Sequence, residues 1–258
     1  MPLLKRLIPV LLLQNGLLVR SEQFKIHQVI GNPIYEVQRF NEWSVDEIIY
    51  LDITRDGQYD LRRNDHKTKG LNEPLEILEA AAKTCFIPLT WGGRIKTVED
   101  MRERFKRGAD KITLNSEAFR NPELITESSK IFGRQAIVVS IDVFQNEVMI
   151  DGGQTPTGLN PVEWAKEVEQ RGAGEILLQS IERDGMGEGY DLELINKISS
   201  SLSIPVIACS GVGNYDDYAQ GIEAGASAVA AANIWHFKEM ADKGGKRAMK
   251  MAGLPVRL

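Results

Sequence analysis

The stretch GAGEILLQSIERDGMGEG, from Gly172 to Gly189, decides the fold. Glu175 to Ser180 is a short apolar run bounded by turn residues, which is the signature of a strand buried on both faces. Arg183-Asp184-Gly185 then opens a loop whose glycines allow backbone shapes that side chains forbid. The same grammar occurs earlier. Glu47 to Gly57 matches Glu175 to Gly185, with an acid opening each strand and Arg-Asp-Gly closing it.

Working outward, the chain alternates strand and helix signals. Strands are expected at Leu7–Leu13, Glu47–Ile53, Phe86–Trp91, Lys111–Leu114, Ala136–Val143, Glu175–Ser180, Pro205–Cys209 and Ala228–Ala232. Gln14 to Pro33 reads as a long polar segment, and residues 34–44 as a helix. Later helices start at a capping box on Thr97, at Asn121-Pro122 and Asn160-Pro161, at Asp191 and at Asn214. A short helix from Ile234 closes the pattern. Eight βα units of mostly continuous apolar strands specify a parallel sheet closed into a (β/α)8 TIM barrel, expected to occupy residues 1–258 as a single domain.

Composition narrows the function. The 258 residues are 43% hydrophobic with net charge −5, which argues against a general affinity for nucleic acid. Cys85 and Cys209 are scattered, with no metal-binding spacing, and read as reduced thiols of a cytoplasmic protein; neither a metal nor a cofactor is expected. The apolar start, Leu7 to Leu13, is too short for a membrane span and reads as a first strand rather than a signal peptide.

The two halves repeat. Pro88 to Arg94 matches Pro205 to Gly211, Gly108 to Lys111 matches Gly225 to Ala228, and Asn115-Ser116 falls on Ala232-Asn233. These matches lie about half a chain apart, too far for a solenoid, so the barrel reads as two duplicated half-barrels. Loops after the last two strands of such barrels commonly hold phosphate. Gly211, Gly213 and the 232–234 turn supply free N–H groups there, and the duplication puts a twin site at Gly92, Gly93 and Arg94 with Asn115 and Ser116. Two such sites across one mouth suit a substrate with a phosphate at each end.

Chemistry belongs on the same rim. Asp52, Asp56, Asp142 and Asp184 stand near strand ends, and Asp56 and Asp184 read as shaping their Arg-Asp-Gly loops. Asp142 terminates an apolar run whose desolvation favours a general acid or base. The residues alone fit equally an acid that pairs with a lysine or caps a loop amide. At the opposite end, Arg6, Glu47, Lys111 and Glu175 open strands one, two, four and six. They can form a ring of two cations and two anions. From the residues alone this is an ion-pair plug closing the floor. His236 reads as a packed helix residue, His27 and His66 as loop residues that face solvent or touch substrate, Arg62–Lys69 as a solvated loop or lid, and Trp91 as barrel packing or a stacking surface.

The chain resembles the cyclase subunit of imidazole glycerol phosphate synthase, the HisF family, over almost its full length. The resemblance rests on KRLIPVLL, EIIYLDIT, GADKITLNS, PELITESSKIFGRQAIVVSIDV, RGAGEILLQSIERDGMGEGYD and AAANIWHF. It implies a (β/α)8 barrel that takes ammonia from a glutaminase subunit docked on the barrel floor. It further implies that Arg6, Glu47, Lys111 and Glu175 form the ammonia gate and that Asp142 is one of two catalytic aspartates. The implied phosphate positions are Asn115, Ser116, Asp184, Gly185, Gly211, Ala232 and Asn233.

The departures cluster at the rim. The family's other catalytic aspartate, in the pattern C-L-D-V-K-D-G, is here Leu12 in V-L-L-L-Q-N-G. Arg94 replaces the third glycine of G-G-G, Arg20 stands at the loop lysine, and Gln179 at a usual threonine. Floor and gate residues are untouched. The sequence therefore reads as a HisF-like subunit with a changed acceptor. It resembles paralogues found with surface-polysaccharide genes, which implies amidine formation on a nucleotide sugar. The alternatives are a histidine-pathway cyclase in which another carboxylate, such as Asp52, substitutes, and a non-catalytic scaffold activating the glutaminase.

Overall fold

A computed structural model describes residues 3–55 and 73–257. Asp56, Gly57, His66 and the Arg62–Lys69 run lie outside the described residues. Eight parallel strands form the centre: β1 (Arg6–Gln14), β2 (Ile48–Asp52), β3 (Leu89–Gly92), β4 (Lys111–Leu114), β5 (Ile137–Phe144), β6 (Glu175–Ser180), β7 (Val206–Cys209) and β8 (Ala228–Ala231). Each pairs with the next, and β8 returns to β1 with Arg6 opposite Ala228, so the sheet closes into a barrel. This is the (β/α)8 architecture expected from the alternating pattern.

Closure explains why the strands are apolar throughout. Ile8, Val10 and Leu12 of β1 pack inside the barrel with Ile49, Leu51, Val138, Leu177 and Ile207. Their neighbours Leu7, Leu11 and Leu13 pack outward against the surrounding helices. Both faces of every strand are thus removed from water, and the alternation of period two carries two cores instead of one.

Helix boundaries follow their local signals. Thr97 and Asp100 form the capping box of the helix Val98–Lys106. Asn160 caps Pro161–Arg171, and Gly172 ends it in the left-handed region at φ 109°. Asp191 Oδ1 accepts the Leu194 amide at 3.0 Å and starts Leu192–Ser199. No helix among the described residues is long and apolar enough to cross a membrane.

The structure departs from the sequence reading in four places. The segment after β1 is not irregular: Leu17–Glu22 and Ile26–Gly31 form an antiparallel excursion that pairs with β1. A matching excursion, Glu147–Ile150 with Thr155–Pro156, follows β5. The third strand begins at Leu89, and Phe86 is 86% exposed. A final helix, Ala241–Met251, was absent from the expected pattern.

The duplication extends to turn geometry. Asn15-Gly16 after β1 and Gln145-Asn146 after β5 both place two consecutive residues at positive φ, the two-residue hairpin turn that suits twisted strands. Gly93-Arg94 after β3 and Ser210-Gly211 after β7 repeat a second pair of positive φ values, 93° and 58° against 80° and 97°.

Candidate functional site

The strand C-termini open into one cavity of about 830 Å³. Asp142, on β5, lines it and is 5% exposed. Ser140 Oγ donates to Asp142 Oδ1 at 2.9 Å, and Gln179 Nε2, from the paired position on β6, donates to the same oxygen at 3.0 Å. Burial pushes the Asp142 carboxyl up to about 6; these two hydrogen bonds oppose the shift and the Asp184 charge adds to it. A carboxyl poised near neutrality can take or give a proton under physiological conditions.

Nothing acidic faces Asp142 from β1. Leu12 packs into the inner apolar cluster at the cavity edge. Asp52 is no direct substitute: its carboxylate accepts the Thr54 amide at 3.1 Å and lies 3.6 Å from Arg94 Nη1. It also follows Leu51, which takes the inward position on β2. His27, which the sequence offered as a loop residue facing solvent or touching substrate, takes the second of those places. It lines the cavity directly opposite Ser21 in the first excursion, and cross-strand partners present their side chains to one face. Burial first, and Arg55 second, lower its pKa, which keeps the imidazole neutral at pH 7.

The expected phosphate positions line the same cavity, in two groups. On one side stand Gly93, Arg94, Asn115 and Ser116; on the other, Asp184, Gly185, Gly211, Ala232 and Asn233. The two glycine turns are not equivalent. A Cβ at Gly211 would meet the Gly189 carbonyl at 2.2 Å, because the loops after β6 and β7 pack backbone to backbone. Arg94, at the twin position, has room for a side chain and turns it towards Asp52.

Several of these side chains hold loops. Asp184 Oδ2 accepts Ser21 Oγ at 2.6 Å and the Phe24 amide at 3.3 Å. Asn233 Nδ2 donates to Ser21 O at 2.8 Å. The twin clamp has Ser116 Oγ accepting the Asp151 amide at 2.9 Å, while Asn115 Nδ2 donates to Ser140 O at 3.1 Å. Asp184 and Asn233 thus fasten the first excursion over the mouth, and Ser116 fastens the second. The sequence alone missed two further side chains. Among the described residues, Thr113 Oγ1 lines the cavity buried without a hydrogen-bond partner and Ser210 Oγ lines it with no closer partner than the neighbouring Cys209 thiol, so a ligand oxygen can satisfy them. No periodicity or motif separates such hydroxyls from ordinary strand residues.

Trp91 does not reach the cavity. It is fully buried between barrel and helices, stacked on Tyr50 with centroids 5.5 Å apart. His236 is packed as expected, and burial, reinforced by the Arg39 charge, brings its pKa down to about 4. Cys209 lines the cavity as a neutral thiol, pushed up to about 12 chiefly by burial. Among the described residues, no cluster of histidine, cysteine and acid side chains is arranged to hold a metal.

The four floor charges form a closed ring. Arg6 Nη1 reaches Glu47 Oε1 at 2.5 Å, and its Nη2 reaches Glu175 Oε1. Lys111 Nζ completes the circuit, 3.0 Å from Glu47 Oε2 and 3.1 Å from Glu175 Oε2. Both carboxylates are 7% exposed at the side chain, against 22% for Arg6 and 20% for Lys111. Burial works against the Arg6 charge, but the Glu175 and then Glu47 contacts outweigh it and raise its pKa. Leu3, Leu4 and Phe86, at strand-entry positions on this side, are exposed apolar residues.

The chain is similar to known proteins along nearly its whole length. A family model described as histidine biosynthesis protein matches residues 6–241. Imidazole glycerol phosphate synthase subunit HisF of Natranaerobius thermophilus is 42% identical over 261 residues, covering 99% of this chain and all of that protein. The matched span contains every barrel strand, the ring and the cavity, and on this evidence the chain belongs to the histidine biosynthesis protein family.

Proposed function

We propose that this chain is a HisF-type synthase subunit of the imidazole glycerol phosphate synthase kind. It takes ammonia released by a glutaminase subunit at the barrel floor and uses it on a substrate anchored by phosphates at the rim. The observation that carries the reading is the closed ring of Arg6, Glu47, Lys111 and Glu175 at the end opposite Asp142. Burying four charges stabilises a barrel no better than apolar packing would. A ring of exchangeable ion pairs instead leaves a polar opening that a small neutral molecule can pass when one pair parts. The exposed Leu3, Leu4 and Phe86 around it suit a docked subunit.

At the rim, the two loop groups hold the substrate's ends and the first excursion covers it. Asp142 exchanges the proton, with Oδ1 occupied by donors and its other oxygen left for the substrate. His27, neutral and facing the same cavity, supplies a second proton-handling group where Leu12 cannot. Complementation tests the reading. Expressed with a glutaminase subunit in a strain lacking the authentic cyclase, the chain should restore growth on minimal medium, and Asp142→Asn should abolish it.

One observation favours a second reading. Leu12 removes the family's strand-one acid while Arg94 adds a guanidinium to the cavity, as a changed acceptor would require. In that case ammonia delivery is retained and the acceptor is a nucleotide sugar of surface-polysaccharide synthesis, converted to an amidine. The 42% identity to HisF along the whole chain favours the histidine-pathway reading, so this stands second. A third possibility, a scaffold that only activates the glutaminase, predicts that Asp142→Asn leaves product formation intact.

A further inference from the structure

Gln179 forks between two partners on the neighbouring strand. Its Nε2 donates to Asp142 Oδ1 at 3.0 Å and to Ser140 Oγ at 3.2 Å, and Ser140 Oγ itself donates to Asp142 Oδ1 at 2.9 Å. The strand register makes this possible, because Gln179 and Asp142 are direct partners across β5 and β6. All three side chains are buried, with Gln179 7% exposed. Among the described residues, the hydrogen bonds that Asp142 accepts therefore end on one carboxylate oxygen. The other, Oδ2, is left to the cavity.

We propose that Gln179 is a positioning residue: together with Ser140 it locks Asp142 Oδ1, so that Oδ2 alone presents and receives the proton. The inference rests on the reading of Asp142 as the proton-exchanging group. An amide suits the task because it donates at every pH and cannot itself take the proton. Its length matters too. A side chain that ends one or two bonds from the backbone, as serine or threonine does, does not span the two strands to reach both Ser140 and Asp142 in this way. A carboxyl without this lock can rotate and spread its proton over two oxygens, losing alignment with a fixed substrate.

The groups facing Asp142 are few. Ser140 lies on its own strand, Gln179 and Asp184 belong to β6 and its loop, and Cys209 on β7 stays a neutral thiol. Asn115 from β4 bonds to the Ser140 carbonyl rather than to the carboxylate. Among the described residues, Asp184 is the charge that acts on Asp142, and it opposes ionisation. Gln179 and Ser140 are therefore the two groups that stabilise the ionised form, and removal of either has a signed effect.

The test is a carboxyl titration by carbon-13 NMR on the folded chain, with Asp142→Asn assigning the resonance. Gln179→Leu should move the Asp142 midpoint upward from about 6 by about one unit, the equivalent of one lost hydrogen bond. Gln179→Thr, which keeps a hydroxyl and a smaller volume, should move it in the same direction and guards against a folding defect in the first variant. Unchanged midpoints in both folded variants would overturn the proposal, since a residue that merely fills space leaves the titration alone. The readout does not depend on turnover. If Asp142→Asn kept full activity, the functional reading would fail while the titration result stood.

Discussion

Removing one charge from the floor should cost more than removing all four. In Lys111→Met, Glu47 and Glu175 each lose one of two cations and keep only Arg6. Stripping a buried charge of its only partner costs about 3–5 kcal/mol, and here each carboxylate is half compensated, so about 2–3 kcal/mol is expected. At the size of this chain that corresponds to a fall of roughly 5–10 °C in Tm. Replacing the ring outright, with Arg6→Met, Glu47→Leu, Lys111→Met and Glu175→Leu together, leaves no orphaned charge. It should be neutral or stabilising by about 1–4 kcal/mol. Urea and thermal unfolding of the parent, the single variant and the quadruple variant measure both effects. If the quadruple variant proved several kcal/mol less stable than the single one, the ring would be a stabilising plug, and the argument that it is retained for passage would collapse.

Three further outcomes follow from the rim. Burial pushes the Asp142 carboxyl from its ordinary value of 3.8 up to about 6. Its folded pKa is raised, so its cost is absent below pH about 4, grows as the pH rises to about 6 and is complete above that. At about 1.4 kcal/mol per unit, Asp142→Asn should stabilise the fold by about 3 kcal/mol at pH 8 and by almost nothing at pH 3.5, as unfolding at the two pH values would read. The same variant should lower ammonia-dependent turnover by about 10²–10⁴-fold without changing affinity for the glutaminase. Gly211→Ala forces a Cβ to 2.2 Å from the Gly189 carbonyl at φ 97°, so it should destabilise by roughly 1–3 kcal/mol, whereas Arg94→Gly at the twin turn should leave Tm within a few degrees.

Most of the barrel was legible because its strands obey one rule, apolar on both faces. Glu175 to Gly185 and its earlier copy carry that rule plainly. The excursions after β1 and β5 were less so. Ile26 and Val29 are exposed, and His27, Gln28 and Arg20 interrupt the pattern, so the segment reads as polar linker. The one available signal was Asn15-Gly16, a dipeptide that favours a two-residue hairpin. Its twin, Gln145-Asn146, has no such bias, and only the duplication links the two.

The site divides in the same way. Residues on strands, such as Asp142 and the four ring charges, were placed by periodicity. Those that act from loops were not. His27 faces the cavity because Ser21, its cross-strand partner, is tied to Asp184 and Asn233, a tertiary contact no local pattern contains. Asp184 itself shows why a motif match needs geometry. It stands at an expected phosphate position, yet its carboxylate binds the excursion, and a carboxylate is a poor neighbour for a phosphate unless it serves the loop that covers it.

The proposed passage from floor to rim is tested most directly by isotope competition. The complex of this chain with the proposed glutaminase subunit would be given amide-labelled nitrogen-15 glutamine in a large excess of unlabelled ammonium. The account predicts product nitrogen enriched to the level of the glutamine, with enrichment falling in Lys111→Met. Product diluted to the composition of the bulk ammonium in the parent complex would contradict it.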